Sequence, residues 1–241
     1  MKQRLLWIGL SACLFAGADE RQPILVELFT SEGCSSCPPA DALLEKLDRT
    51  QPVDGAQIIV LSEHVDYWNY IGWTDAYSSP AFSQRQQMYA RRLGLDGPYT
   101  PQMVVDGATE FVGSDARKAE SAIRSALRQS KTRVRIQASD SGVTVEIDPL
   151  PAGRAKKAHI YVAHVLDRGA SDVLRGENKG RRLQHAAIVR ELKQISTIDE
   201  RSGFKTQLPA VAAGRRLWSS PRNQTQDTSG ELPCTQVPGR K

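Results

Sequence analysis

The chain has 241 residues, enough for one large or two small compact domains. Hydrophobic residues at 40% and charged residues at 24% exclude wholesale disorder, and 4 Cys are too few for a disulfide-dense scaffold. The formal charge of +5 is spread along the sequence in short clusters such as Arg181-Arg182 and Arg215-Arg216, a pattern that gives no reason to expect nucleic acid.

Lys2 and Arg4 precede an apolar run over 5–18 that ends in Ala16-Gly17-Ala18, the small residues a signal peptidase needs. Residues 1–18 therefore read as a signal peptide, and the protein as exported, periplasmic or secreted. Leu10-Ser11-Ala12-Cys13 resembles a bacterial lipobox, which gives the alternative of a lipoprotein anchored through Cys13. No later stretch is apolar enough to span a bilayer, so no transmembrane segment is expected in the mature chain.

Ile24, Leu25 and Val26 open a short apolar run to residue 29 that predicts a buried strand. Cys34-Ser35-Ser36-Cys37-Pro38-Pro39 follows, and Leu43, Leu44 and Leu47 then share one face of a helix over 40–48. Residues 58–61 predict a second buried strand. An aromatic and polar stretch with Tyr67, Trp68, Tyr70, Trp73 and Tyr77 leads to a helix over 79–93. Gln102-Met103-Val104-Val105 is a strand closed by Asp106-Gly107, a hairpin-turn pair, with 109–112 returning. Ser114-Asp115 caps a helix running to about 128. Beyond Lys131 the apolar period becomes two, at Val134, Ile136 and Ala138, at Val143, Val145 and Ile147, and at Ile160, Val162 and Val165, which predicts half-buried antiparallel sheet. Residues 219–241 hold few apolar side chains and many Pro, Gln, Ser and Thr, a composition that implies disorder.

The C-x-x-C between strand and helix carries the chemistry. Two thiols so spaced on a helix's first turn can close a disulfide, and the helix N-terminus favours one of them as a thiolate. Cys34 is expected to be the exposed nucleophile and Cys37 the buried resolver of a mixed disulfide. A structural disulfide and half of a metal site are the competing readings. His64, at the C-terminal end of the second strand, lies at the sheet edge where sites form and, with Asp66, could tune the thiolate. With Cys34 and Cys37 it could instead complete a copper-handling set, since thiolate and imidazole both suit Cu(I).

The order strand, CxxC-Pro, helix, strand, helix, Thr-Pro, hairpin, helix resembles the thioredoxin fold. The resemblance implies that Pro101 is cis and lies against the disulfide, and that Glu27 is a buried acid assisting proton transfer. Thr100, Trp68 and Trp73 would then line a groove for a client polypeptide or small thiol, with no cofactor. A longer resemblance, on residues 27–41, His64-Val65-Asp66-Tyr67-Trp68, Tyr99-Thr100-Pro101-Gln102 and Arg175-Gly176-Glu177-Asn178, is to the DUF1223 family. It implies an exported bacterial protein with a thioredoxin-like α/β domain over 19–131 and a β-rich, sandwich-like antiparallel domain over 132–218. Arg175, Glu177 and Asn178 are expected to fix a loop of that second domain through ion pairs. Members of the family end in a valine-rich strand and a Gly-Ala-Ala segment absent here. A change of reading frame near Leu217 would permit such an ending, and it makes the 219–241 tail, with Cys234, a possible frameshift product.

Overall fold

A computed structural model describes residues 21–139, 141–153 and 156–209, with the backbone of 215–223 and 235–237. Residues 1–18, expected to be a signal peptide, lie outside the described residues, as do Cys13 and Cys234.

Strand β1 (Gln22–Thr30) is buried from Ile24 onward on both faces, because it lies inside the sheet rather than at its edge. It runs parallel to β2 (Ala56–His64), which the chain reaches from β1 through α1 (Pro38–Thr50), whose Leu43, Leu44 and Leu47 join the core. Pro38 and Pro39 occupy the first turn of α1, where a missing N–H costs nothing. A 3-10 turn at Asn69–Ile71 leads to α2 (Pro80–Leu93), capped by the Ser79 hydroxyl accepting from the Ala81 N–H. β3 (Gln102–Val105) and β4 (Thr109–Val112) form the expected hairpin on the other side of β1. Its three-residue connection holds Asp106 at φ 47 and Gly107 at φ 65, both left-handed, and the Ala108 N–H donates to the Val105 carbonyl at 3.0 Å. The Asp106 carboxylate accepts from the Leu25 N–H at 2.8 Å and from Lys131 Nζ at 2.6 Å, which ties the turn to β1. α3 (Ala116–Ala126) begins on Asp115, whose carboxylate accepts from the Lys118 N–H at 3.0 Å.

After α3, β5 (Val134–Ser139), β6 (Gly142–Ile147) and β9 (Phe204–Pro209) form a three-stranded antiparallel sheet. The long strands β7 (Lys157–Asp172) and β8 (Arg182–Asp199) pair with each other, and β8 also runs parallel to β2. With β10 (Arg215–Asn223) and β11 (Thr235–Val237) they extend one eight-stranded sheet, ordered β11-β10-β7-β8-β2-β1-β3-β4. One half of the β7–β8 pair, with Ala158, Ile160, Val162 and Ile198, packs on the small sheet through Val143, Val145 and Ile147. The other half, with Ala163, Val165, Ala187 and Val189, joins the core under α1. The division expected at 131/132 thus falls between α3 and β5, and the large sheet continues across it. The protein is a mixed α/β molecule with a mostly β core.

Residues 219–223 and 235–237, inside the segment whose composition implies disorder, are strand. Ladder bonds are made by the backbone, so the free side of β7 can recruit a strand of polar composition. β10 crosses the point where a shifted frame was suspected and covers the β7 edge that a missing last strand would have left bare.

Candidate functional site

Cys34 and Cys37 are joined in a disulfide, Cα to Cα 5.4 Å, on the turn that delivers the chain into α1. The Cys34 N–H donates to the Ser31 carbonyl at 3.2 Å and the Cys37 N–H to the Cys34 carbonyl at 3.2 Å. The Cys37 carbonyl accepts from Ala40 at 2.8 Å and starts the helix. Ser35 and Ser36 are exposed, whereas Cys34 and Cys37 are both 0% exposed. The expectation of an exposed Cys34 is therefore corrected.

The connection between β7 and β8 is held against the backbone of this turn. Asn178, itself buried, donates from its side-chain amide to the Glu32 carbonyl at 2.8 Å and the Cys34 carbonyl at 2.9 Å. Glu177 accepts from the Ser35 N–H at 3.0 Å, and this contact holds its carboxyl below the usual range. Arg181 donates to the Asn178 side-chain oxygen at 2.8 Å. Gly176 has φ 74, and a Cβ there would stand 3.3 Å from Trp73 Cβ, so the loop lies directly on the aromatic segment. Arg175, Glu177 and Asn178 were expected to serve their own domain; Glu177 and Asn178 instead clasp the CxxC turn.

The Thr100–Pro101 peptide bond is cis. Pro101 is buried next to α1: a Cβ on Gly113 would lie 3.2 Å from both Pro101 Cβ and Ala40 Cβ, and 2.7 Å from Leu28 Cδ1. Trp68 Nε1 donates to Thr100 Oγ1 at 2.7 Å, and Trp68 Cβ would meet a Cβ on Gly33 at 3.1 Å. Thr100 and Trp68 thus stand together beside the turn. Trp73 donates to Glu32 Oε2 at 2.8 Å.

Glu27 is fully buried, and its carboxylate is ion-paired with Arg85 of α2 and accepts from the Tyr89 hydroxyl. Arg85 Nε also lies 3.0 Å from Glu63 Oε1. Burial pushes the Glu63 carboxyl well above its ordinary value, with Arg85 opposing and Glu27 adding to the rise. Glu27 is committed to this ion pair on the α2 side.

Five other ionisable side chains are buried around the turn. His64 Nδ1 lies 2.7 Å from Asp75 Oδ2, which also accepts from the Glu32 N–H at 2.9 Å. Burial alone would raise the Asp75 carboxyl, but His64 and these donors hold it below its usual value. His185 of β8 faces Glu32 Oε1 at 3.3 Å and Asp41 Oδ1 at 3.8 Å, and its ring centroid is 4.6 Å from that of His64. Burial would lower the His185 pKa, but the Asp41 and Glu32 carboxylates outweigh it and bring it to about 9. Asp66 is turned toward α2 and accepts from the Ser83 hydroxyl at 2.5 Å. Among the described residues no three His, Cys, Asp or Glu are arranged to hold a metal ion, so the Cys34, Cys37 and His64 set is not assembled. The residues missed by sequence reasoning are Glu32, Asp41, Asp75 and His185, with the true role of Asn178. Glu32 and Asp41 fell inside the 27–41 string and Asn178 inside the Arg-Gly-Glu-Asn string, but nothing local marked them as parts of one cluster, and Asp75 and His185 gave no signal.

No helix among the described residues is long and apolar enough to cross a membrane. The family DUF1223, described as a protein of unknown function, matches residues 25–219. No curated protein matches the chain. The crystal structure of a structural-genomics target from Agrobacterium tumefaciens is similar, with a TM-score of 0.72 at 28% identity, over 90% of this chain and 95% of that one.

Proposed function

The chain belongs to the DUF1223 family, and from that premise we propose that it is an exported thiol–disulfide oxidoreductase with a thioredoxin-like first part. The observation that carries the reading is the Cys34–Cys37 disulfide at the head of α1, with Pro101 packed beside that helix. In the reduced protein the peptide dipoles of α1 favour a thiolate at Cys34. That thiolate attacks a client disulfide and expels one client thiolate; Cys37 then attacks Cys34 in the mixed disulfide and releases the client as a dithiol. Two electrons pass to the client and the protein returns to the disulfide. Thr100, Trp68 and Trp73, each partly exposed, supply the surface facing the client, buried Pro101 packs behind it against α1, and no cofactor is needed. The proton relay is not assigned to Glu27, which is already paired with Arg85. Because both cysteines are covered, exchange requires the Glu177–Asn178 loop to lift.

The same burial favours a second reading, a scaffold whose disulfide only braces the turn. The two separate in one experiment. The full chain is incubated with glutathione buffers of graded ratio at neutral pH, and the thiols are trapped by alkylation. An oxidoreductase reaches a reversible dithiol–disulfide equilibrium in the folded protein, and Cys34→Ser leaves a protein unable to form the intramolecular bond. A disulfide that is reduced only when the protein unfolds supports the scaffold and rejects the exchange reading.

A further inference from the structure

We infer that His185 is a positioning residue that sets the redox equilibrium of the Cys34–Cys37 pair by placing a cation between two carboxylates that flank it. This rests on the oxidoreductase reading above.

The geometry is specific. Glu32 stands two residues before Cys34, and the Glu32 and Cys34 carbonyls share the Asn178 amide. Asp41 stands one helical turn after Cys37, with its N–H on the Cys37 carbonyl at 3.1 Å. The imidazole of His185 reaches from β8 to both carboxylates, at 3.3 Å and 3.8 Å. Glu32 Oε1, Asp41 Oδ1 and both ring nitrogens of His185 are buried without a hydrogen bond, so charge rather than a satisfied network defines the contact. The other groups facing the ring are His64 of β2, Asp75 bound to His64, and Tyr77. Buried charges act across a poorly screened medium, so a charge held between Glu32 and Asp41, which flank the Cys pair in sequence, bears on the thiolate formed there.

Reduction by glutathione balances as one protein disulfide and two glutathione thiols giving one Cys34 thiolate, one Cys37 thiol, one glutathione disulfide and one proton to solvent. Only the product side carries a new negative charge beside the cluster. A cation at His185 therefore favours the dithiol form, and the carboxylates at Glu32 and Asp41 oppose it.

The test uses the full chain in glutathione buffers at neutral pH, with near-UV circular dichroism to establish that each variant is folded. His185→Gln is expected to move the equilibrium about tenfold toward the disulfide, equivalent to about 30 mV. Asp41→Asn and Glu32→Gln are expected to move it in the opposite direction, and the double variant His185→Gln/Asp41→Asn to return toward the parent. A merely structural role shifts all variants the same way. If His185→Gln does not fold, the imidazole resonance of the parent protein is titrated in both redox states, and reciprocity requires a higher pKa in the reduced one. Same-sign shifts, no shift beyond twofold, or an unchanged imidazole titration overturns the inference while exchange itself persists. A parent protein that never equilibrates with glutathione overturns the oxidoreductase reading and this inference with it.

Discussion

Replacing Asn178 with Ala should convert a covered disulfide into a reachable one. The side chain gives two hydrogen bonds, at 2.8 and 2.9 Å, to carbonyls on either side of Gly33, and accepts a third from Arg181. At a net ~0.5–1.5 kcal/mol each, losing the two bonds to the turn weakens the cover by about 1–3 kcal/mol. With about 1.4 kcal/mol per factor of ten, the population of the lifted loop rises roughly 5- to 150-fold. The assay is the pseudo-first-order rate of disulfide reduction by dithiothreitol, read by quenched alkylation across reductant concentrations and low urea. If lifting is fast compared with attack, the rate rises by the same factor. Its urea dependence should stay shallow, because only a loop is exposed rather than the core. A rate that does not change, or one as steep in urea as global unfolding, refutes the gate and leaves Asn178 as a brace.

Gly113→Ala should cost about 1–3 kcal/mol in urea unfolding, since the new methyl meets Leu28, Ala40 and Pro101 at 2.7 to 3.2 Å with no free space. Arg85→Met strands the Glu27 and Glu63 carboxyls in the core and should cost about 3–5 kcal/mol; adding Glu27→Gln should restore part of that. His185 has its pKa raised from 6.5 to about 9, so its charge stabilises the fold below about pH 6.5 and this contribution is lost as pH rises through 9. The stability gap between the parent and His185→Gln, from denaturant titrations at pH 6 and above pH 9, should shrink by up to about 3 kcal/mol. A gap that stays constant contradicts the charged imidazole.

The parts of the fold that were readable in the sequence are those whose causes are local. The β1 apolar run, the Leu43, Leu44 and Leu47 face of α1, the Ser79 and Asp115 caps and the Asp106-Gly107 turn all appear where their spacing put them. A Cys34–Cys37 disulfide was open to the C-x-x-C spacing alone, whereas the cis Thr100–Pro101 bond was expected only from the resemblance to the thioredoxin fold. What could not be read depends on where a distant strand returns. Asn178 lies 144 positions from Cys34, and its contact exists only because β8 pairs beside β2. His185 stands at the two-residue spacing of buried Leu183 and Ala187 on that strand and looks in sequence like one more sheet residue. Exposure of Cys34 was misjudged because the covering segment belongs to the part assigned to another domain. Glu27 was rightly buried, but its partner Arg85 is 58 positions away, and no local pattern reveals the pair.

The continuity of the eight-stranded sheet across residue 131 limits how the molecule can be dissected. A fragment ending there would keep the cysteines yet strip β2 of its neighbour, leaving a raw flank able to stick to other copies. It would also lack the clasp and the imidazole, so any reactivity seen in such a piece would belong to the cut and not to the intact molecule.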